Sequence, residues 1–385
     1  MRIAIVGAAL LLVGAVAVAT GALGIDELGV LAGRTWPILL FVVAITITAE
    51  LANEAGVFDV VAGRLARWGA GRGVLLWLLV VAFATLSTVF LSLDTTAVLL
   101  TPIVVLLAQR AGLDPIPFAL TTVWLANTGS LLLPVSNLTN LLAEHELSAL
   151  GVASGPLEFA ALTWAPALCA IVVPVLVIAV VYRRRLVQRY TLDGPRPVAD
   201  RVLFVWASVV TGALVPMLVT PVPVWASASV AAAILTIVFA VRRRRALRFA
   251  LVPWRLVVFA SGLFVVVEAA HSLAITDVLG VLAGTGEATD DLLRLAGVSA
   301  VSANLVNNLP AYLALEPFAG SADRLVAVLV GVGAGPLLTP WASLATLLWH
   351  DRVRALGVEV SWWRYAALGL VVAPLTVVAA TLVIA

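Results

Sequence analysis

Three carboxyl groups, Glu50, Asp94 and Glu268, stand inside stretches otherwise made of Ala, Val, Leu, Ile and Phe. A carboxylate held in hydrocarbon is costly, and it marks an ion or proton pathway unless it is solvated at a membrane surface. Asp94 lies in Ser92-Leu93-Asp94-Thr95-Thr96, a polar interruption between two apolar arms. That position makes it the leading candidate for a proton carrier. Glu50 and Glu268 fall near the ends of their apolar runs, where an interfacial role explains them equally well.

Clusters of Asn, Ser and Thr accompany these acids at 92–96, 127–140, 302–310 and 339–346. The candidate solute-binding groups are Ser92, Thr95 and Thr96 in the first, and Asn127, Ser130, Ser136, Asn137, Thr139 and Asn140 in the second. Asn304, Asn307 and Asn308 stand in the third, and Thr339, Ser343 and Thr346 in the fourth. Hydroxyls and amides bind a small polar solute reversibly, and half-helix N-termini add positive potential at the same place. For any single Ser or Thr, a hydrogen bond between neighbouring helices is the simpler reading. Four clusters at symmetric positions, two of them around Pro134 and Pro340, favour a binding site.

Other chemistries lack their residues. With no Lys among 23 basic residues, no P-loop lysine exists, so an ATPase of that kind is excluded. The single cysteine, Cys169, sits in a plain apolar run and reads as packing; it cannot form an intramolecular disulfide or a thiolate cluster. His145, His271 and His350 fall in loops or at the ends of apolar runs and supply neither a metal site nor a nucleophile–base pair, which disfavours an intramembrane hydrolase. No cofactor or metal is expected. The arginines are dispersed among apolar segments, which excludes a nucleic-acid surface.

The elements that must position these residues belong to a membrane. Hydrophobic residues make up 63% of the 385, charged residues 11%, and the mean hydropathy is +1.13. So little polar surface cannot cover a water-soluble particle of this size. Runs of about 20 apolar residues mark single spans near 3–23, 36–54, 161–182, 201–219, 223–241, 252–270 and 365–384. Two broken spans, 116–143 and 325–349, contain Pro134 and Pro340. Two more regions, 74–110 and 292–315, read as hairpins that enter and leave on one side. The expectation is an all-α polytopic membrane protein of about nine crossings and two re-entrant hairpins.

With a cytoplasmic N-terminus, this arrangement leaves only Arg34, Arg294 and Arg324 outside and places the other 20 arginines inside, as the positive-inside rule requires. A cleaved N-terminal signal is disfavoured, because the first run is long and has a counterpart at 223–241. Trp36 and Glu50 recur as Trp254 and Glu268, Asp59 recurs as Asp277, and 132–142 aligns with 338–348, with Asp94 set against Asn308. The chain therefore divides into a first repeat, 1–182, a cytoplasmic linker (with Asp193–Pro197) plus connecting span, 183–222, and a second repeat, 223–385. One odd crossing between them inverts the second, the pattern of secondary transporters with a site near the bilayer midplane.

At these motifs the chain resembles the arsenite and antimonite efflux permeases, the arsenical pump membrane proteins of the ion transporter superfamily. Segments 90–102, 126–140, 306–310, 335–349 and 54–58 carry the resemblance, of which 126–140 and 335–349 are the specific ones. It departs at Leu93, where many relatives carry Asn before the Asp. The resemblance implies export of arsenite and antimonite in exchange for protons from a prokaryotic cell membrane, sometimes with a separate ATPase subunit as partner. Neutral arsenite resembles a small polyol, which hydroxyls and amides can bind and release. A sodium/proton antiporter suits Asp94 as well. A sodium-coupled anion or dicarboxylate symporter suits it less, because an unpaired Asp would face the anion.

Overall fold

The computed structural model describes residues 2–191, 198–273 and 276–384. Linker residues Asp193–Pro197, and the side chains of Arg2 and Asp277, lie outside what is described. Among the described residues, regular structure is helical apart from one bridge between Arg72 and Arg189.

The chain opens with α1 (Arg2–Ala19), α2 (Ile25–Glu54) and α3 (Val57–Trp68). A hairpin follows, α4 (Gly73–Leu91) and α5 (Leu93–Arg110). Next come α6 (Pro115–Thr128) and α7 (Leu138–Ala149), the two pieces of a broken helix, and then α8 (Pro156–Val181). After the connecting helix α9 (Arg201–Met217) the order recurs. It runs α10 (Val224–Arg242), α11 (Trp254–Ser272), α12 (Asp277–Ala283), a hairpin α13 (Thr289–Val306) and α14 (Asn308–Leu315), a broken helix α15 (Ala322–Ala334) and α16 (Leu344–Ala355), and α17 (Trp362–Thr381). By length and composition, α2, α4, α5, α8, α10, α11 and α17 can each cross a membrane.

The helix breaks have local causes. Ser92 and Asn307 have φ of 109° and 126°, left-handed values that stop α4 and α13 and turn the chain. The first hairpin folds back fully. A Cβ on Gly73 would lie 3.5 Å from the Leu113 side chain, so the two ends meet. Ser87 and Thr88 on one arm hydrogen-bond Thr96 on the other, at 3.0 and 2.9 Å. In the broken helices, Pro134 and Pro340 open short 3-10 turns, Pro134–Ser136 and Pro340–Ala342, and Asn137 and Ser343 then stand directly before α7 and α16, with only the Asn137 side chain capping its helix. Asn140 holds the first break together by donating to the carbonyls of Ser130 (2.6 Å) and Leu133 (3.1 Å).

The equivalence of Ser92 and Asn307 moves the alignment of the hairpin tips by one residue. Asp94 corresponds to Leu309, not to Asn308, and Leu93 is the residue that stands where the second tip has Asn308. Cluster composition suggested the first pairing; the turning residue decides it. The second span is also longer than expected, since α2 starts at Ile25 rather than near Trp36. The Glu27 carboxylate accepts from the Gly24 backbone N–H at 2.9 Å, which starts the helix early and carries Arg34 into it.

Packing follows a two-fold exchange. The first helix of each half lies on the second helix of the other: α1 on α11, and α10 on α2, while the closing helices α8 and α17 pair with each other. Small residues let α1 and α11 approach closely. A Cβ on Gly7 would sit 2.7 Å from the Phe259 backbone, and one on Gly262 would sit 2.7 Å from the Gly7 carbonyl. Each hairpin packs on the broken helix of its own half. The pieces α6 and α15 are buried on every face, as expected of helices that are apolar all round. They form the centre, and their C-terminal ends deliver the broken segments to the site.

Candidate substrate and proton site

The hairpin tips and helix breaks converge. A cavity of about 70 Å³ is lined by Ser92 and Asp94 from the first tip, Ser136 and Asn137 from the first break, Asn307 and Asn308 from the second tip, and Ser343 from the second break. Phe41, Ile45 and Thr46 of α2 close one side, and Leu256 and Phe259 of α11 close another. No Arg lines it.

The polar lining has a common architecture. Ser92, Asn137, Asn307 and Ser343 are each the residue before a helical segment starts. Four helix N-termini therefore meet around the cavity, and each contributes unsatisfied N–H groups and positive potential. Three of the four side chains cap their own helix: Ser92 accepts from the Thr95 N–H (3.3 Å), Asn137 from that of Thr139 (3.4 Å) and Asn307 from that of Leu309 (3.3 Å). Ser343 does not. Its hydroxyl is fully buried with no protein partner, so a group that would be costly to leave unsatisfied faces the cavity.

Asp94 is the acid at this centre. Among the described residues nothing hydrogen-bonds or ion-pairs with its carboxylate. The neighbouring hydroxyls are turned elsewhere. Thr95 donates to the Leu91 carbonyl (3.0 Å) and shares a contact of 3.2 Å with Ser92. Thr96 is occupied by Ser87 and Thr88. A π-helical turn spans Thr96–Leu100 directly after Thr95, a feature common at functional sites.

The remaining candidates hold the scaffold. Asn127 donates to the Val123 carbonyl (2.9 Å) and reaches Thr346 of the other half (3.4 Å). Ser130 donates to the Asn127 carbonyl (2.7 Å), and Thr139 touches the Asn140 amide oxygen (3.5 Å). Asn304 donates to the Gly335 carbonyl (2.8 Å) and accepts from the Thr339 N–H (3.0 Å), tying the second hairpin to the second break. Glu50, one turn beyond Thr46 on α2, does not line the central cavity and has Arg352, Glu54 and Arg248 as charged neighbours. Glu268 lines a different cavity of about 440 Å³ together with Arg34, Glu146, His271 and Glu316.

Two features escaped the sequence. Trp341 donates through its indole N–H to the Asn304 carbonyl (2.8 Å), and its own carbonyl accepts from Asn307 (2.9 Å), bracing the second tip. Arg34 pairs with Glu316, 282 residues away. The only sequence signal for that pair was an arginine next to an apolar run, where an unpaired charge is costly.

Comparison with known proteins agrees with this architecture. Residues 2–346 match the family described as citrate transporter, CitMHS. The chain is 29% identical to the arsenical pump membrane protein of Escherichia coli K12, over 92% of this chain and 87% of that one. It is 27% identical to the protein of that name from Yersinia enterocolitica, covering 93% and 88%. It is 26% identical to a putative arsenical pump membrane protein of Bacillus subtilis, covering 93% and 89%. The crystal structure of the YdaH transporter of Alcanivorax borkumensis, described as having an unusual topology, superposes over 100% of this chain and 96% of that one. The TM-score is 0.59 and the sequence identity 16%.

Proposed function

We propose a substrate and a driving ion from the premise that this chain belongs to the CitMHS citrate-transporter family, and is thus a multi-pass membrane transporter rather than an enzyme. The substrate is arsenite and antimonite, exported as neutral hydroxides, and the driving ion is the proton. The protein acts in a prokaryotic cell membrane with its N-terminus in the cytoplasm, and a separate ATPase subunit is a possible partner of the permease rather than part of it.

The observation that carries this reading is the lining of the central cavity. It joins an unpartnered carboxylate, Asp94, to hydroxyl and amide groups and to four helix N-termini, in about 70 Å³. That is room for a solute of few heavy atoms. A tricarboxylate would crowd the cavity and set its charges against Asp94, with no arginine to compensate. A neutral trihydroxide offers three donors and several acceptors, which suit Asn137, Asn308 and the unpaired Ser343 hydroxyl.

Coupling then has a simple form. When Asp94 is ionised, the helix N-termini stabilise its charge and its oxygens accept from the solute hydroxyls. A proton arriving on Asp94 turns one acceptor into a donor and weakens the other, which lowers the affinity and releases the solute. Because the solute is neutral, each exchanged proton moves one charge, and each charge carries about 2.3 kcal/mol per 100 mV of membrane potential. Re-entrant placement of the two hairpins within inverted repeats, 1–182 and 223–385, keeps both tips at mid-depth where both faces can reach them in turn.

The test is uptake into everted vesicles of arsenite, antimonite, citrate and sodium, each with and without an imposed proton gradient. Arsenite accumulation that collapses with the gradient supports the reading. Gradient-driven citrate accumulation, or sodium movement without arsenite movement, overturns it.

A further inference from the structure

Beyond the central site, one part-buried charge pair has no part in the mechanism above. Glu316 follows the short arm of the second hairpin and is 7% exposed. Its carboxylate accepts from Arg34 on α2 and from the Tyr312 hydroxyl, the latter at 2.8 Å. Tyr312 is fully buried on α14. The pair thus ties a scaffold helix of one half to the hairpin of the other.

Its position is on a route. Arg34 stands seven residues before Phe41, or roughly 10 Å along α2 at 1.5 Å per residue, toward the end where Ile25 begins the helix. It lines two further cavities, of about 290 and 440 Å³. The first of these shares Leu141 with the central cavity. The second is lined by Glu316 itself. The groups facing Glu316 there are Arg34 and Thr35 from α2, Glu146 from α7, and Glu268 and His271 from α11, with Tyr312 beneath on its own arm. Of these acids, Glu316 is the one bound to both an arginine and a buried hydroxyl.

We propose that Glu316 is a second proton-binding residue of the exchange cycle: its protonation releases Arg34, parts α14 from α2 and joins the outer cavities to the central one. This rests on the proton-coupled reading above. The chemistry balances as one proton gained by one carboxylate, because Arg34 stays charged at every accessible pH. Arg34 is part-buried, with 22% of its side chain exposed, and once its partner is neutral its charge is better solvated by turning into the two cavities it already lines. The arrangement makes opening of this face depend on proton arrival, which a strict exchanger needs.

The experiment needs no arsenite. Leu141→Cys in a Cys169→Ser background places a thiol on the wall between the central and outer cavities. Its rate of reaction with a polar thiol reagent is measured on purified full-length protein in detergent, at pH 5.5 and pH 8, after correction for the pH dependence of a free thiol in the same buffer. The corrected rate should be higher at the lower pH by roughly tenfold, within the 5–150-fold range usual for coupled sites. Glu316→Gln should give the fast rate at both pH values, and Arg34→Gln should also abolish the pH response. Asp94→Asn should keep it. Retention of the response in Glu316→Gln, or its loss in Asp94→Asn alone, overturns the assignment. Since the readout is independent of substrate, failure of the arsenite reading and failure of the latch are distinguishable.

Discussion

At the scale of single residues, Asp94 and Ser343 are lining residues whose side chains have no protein partner among the described residues, and each supports a separate prediction. Asp94→Asn keeps the shape and one acceptor oxygen, enough for weakened binding, but cannot ionise. Arsenite exchange between equal concentrations should persist in vesicles of this variant, while accumulation driven by a proton gradient should fall to background. Asp94→Glu should keep partial driven transport with a displaced pH optimum. Driven accumulation at the wild-type level in Asp94→Asn would assign the proton elsewhere, with Glu316 the next carboxylate to examine. Ser343→Ala removes one donor to a solute. At about 1 kcal/mol for a neutral hydrogen bond, the half-saturating arsenite concentration should rise by several-fold, with turnover little changed. An unaltered concentration dependence would remove Ser343 from the binding set.

At the scale of elements, the hairpins and broken helices spend stability to create the site, and the long helices recover it by close packing. Ser92 and Asn307 hold left-handed backbone, at a cost on the order of 1–3 kcal/mol each. The interface of α1 with α11 is one place where packing offsets such costs, because Gly7 and Gly262 let the two backbones approach. Gly262→Val should push Leu10 and the Gly7 carbonyl outward. Overpacking of this kind costs about 1–3 kcal/mol, so the melting temperature in detergent should drop by several degrees. A melting temperature equal to wild type would show that α1 yields freely, and that its packing contributes little. Phe259 lies at this same crossing and lines the central cavity, so the variant should also slow transport.

At the scale of the whole molecule, the two-fold exchange of helices fixes what must face which side. The ends of the first hairpin meet at Gly73 and Leu113, so residues just outside them share a membrane face. Cysteines introduced near Gly69, at the exposed position Arg67, and at the exposed Arg110 should react with an impermeant reagent from the same side, the cytoplasmic one. Labelling from opposite sides would make α4 and α5 independent crossings on the same helix lengths, and the inverted-repeat reading of the chain would fail. The 19-residue α4 is roughly 28 Å long at 1.5 Å per residue, close to the hydrocarbon thickness of about 30 Å. Helix length alone therefore does not distinguish the two cases, and labelling does.

The sequence by itself determined the membrane class, the helical content, the two broken spans and the four polar clusters. Each of these depends on composition or on residues close together in the chain. Pro134 and Pro340 favour a break; because Pro37, Pro166, Pro174 and Pro374 stay inside continuous helices, it is their setting among Asn, Ser and Thr that marked these two, and Ser92-Leu93-Asp94-Thr95-Thr96 is polar in any conformation. Tertiary structure alone decided which members of each cluster share a cavity. Asn137, Asn308 and Ser343 line it, whereas Asn140 and Asn304 spend their amides on carbonyls at the helix breaks and Asn127 spends its own on the Val123 carbonyl within α6. Those carbonyls have no signature in the sequence, so binding and bracing amides look alike there. The register of the tips likewise waited on φ at Ser92 and Asn307. Arg34 and Glu316 come within hydrogen-bond reach only because α2 and the second hairpin pack together, a contact between distant segments to which no local pattern points.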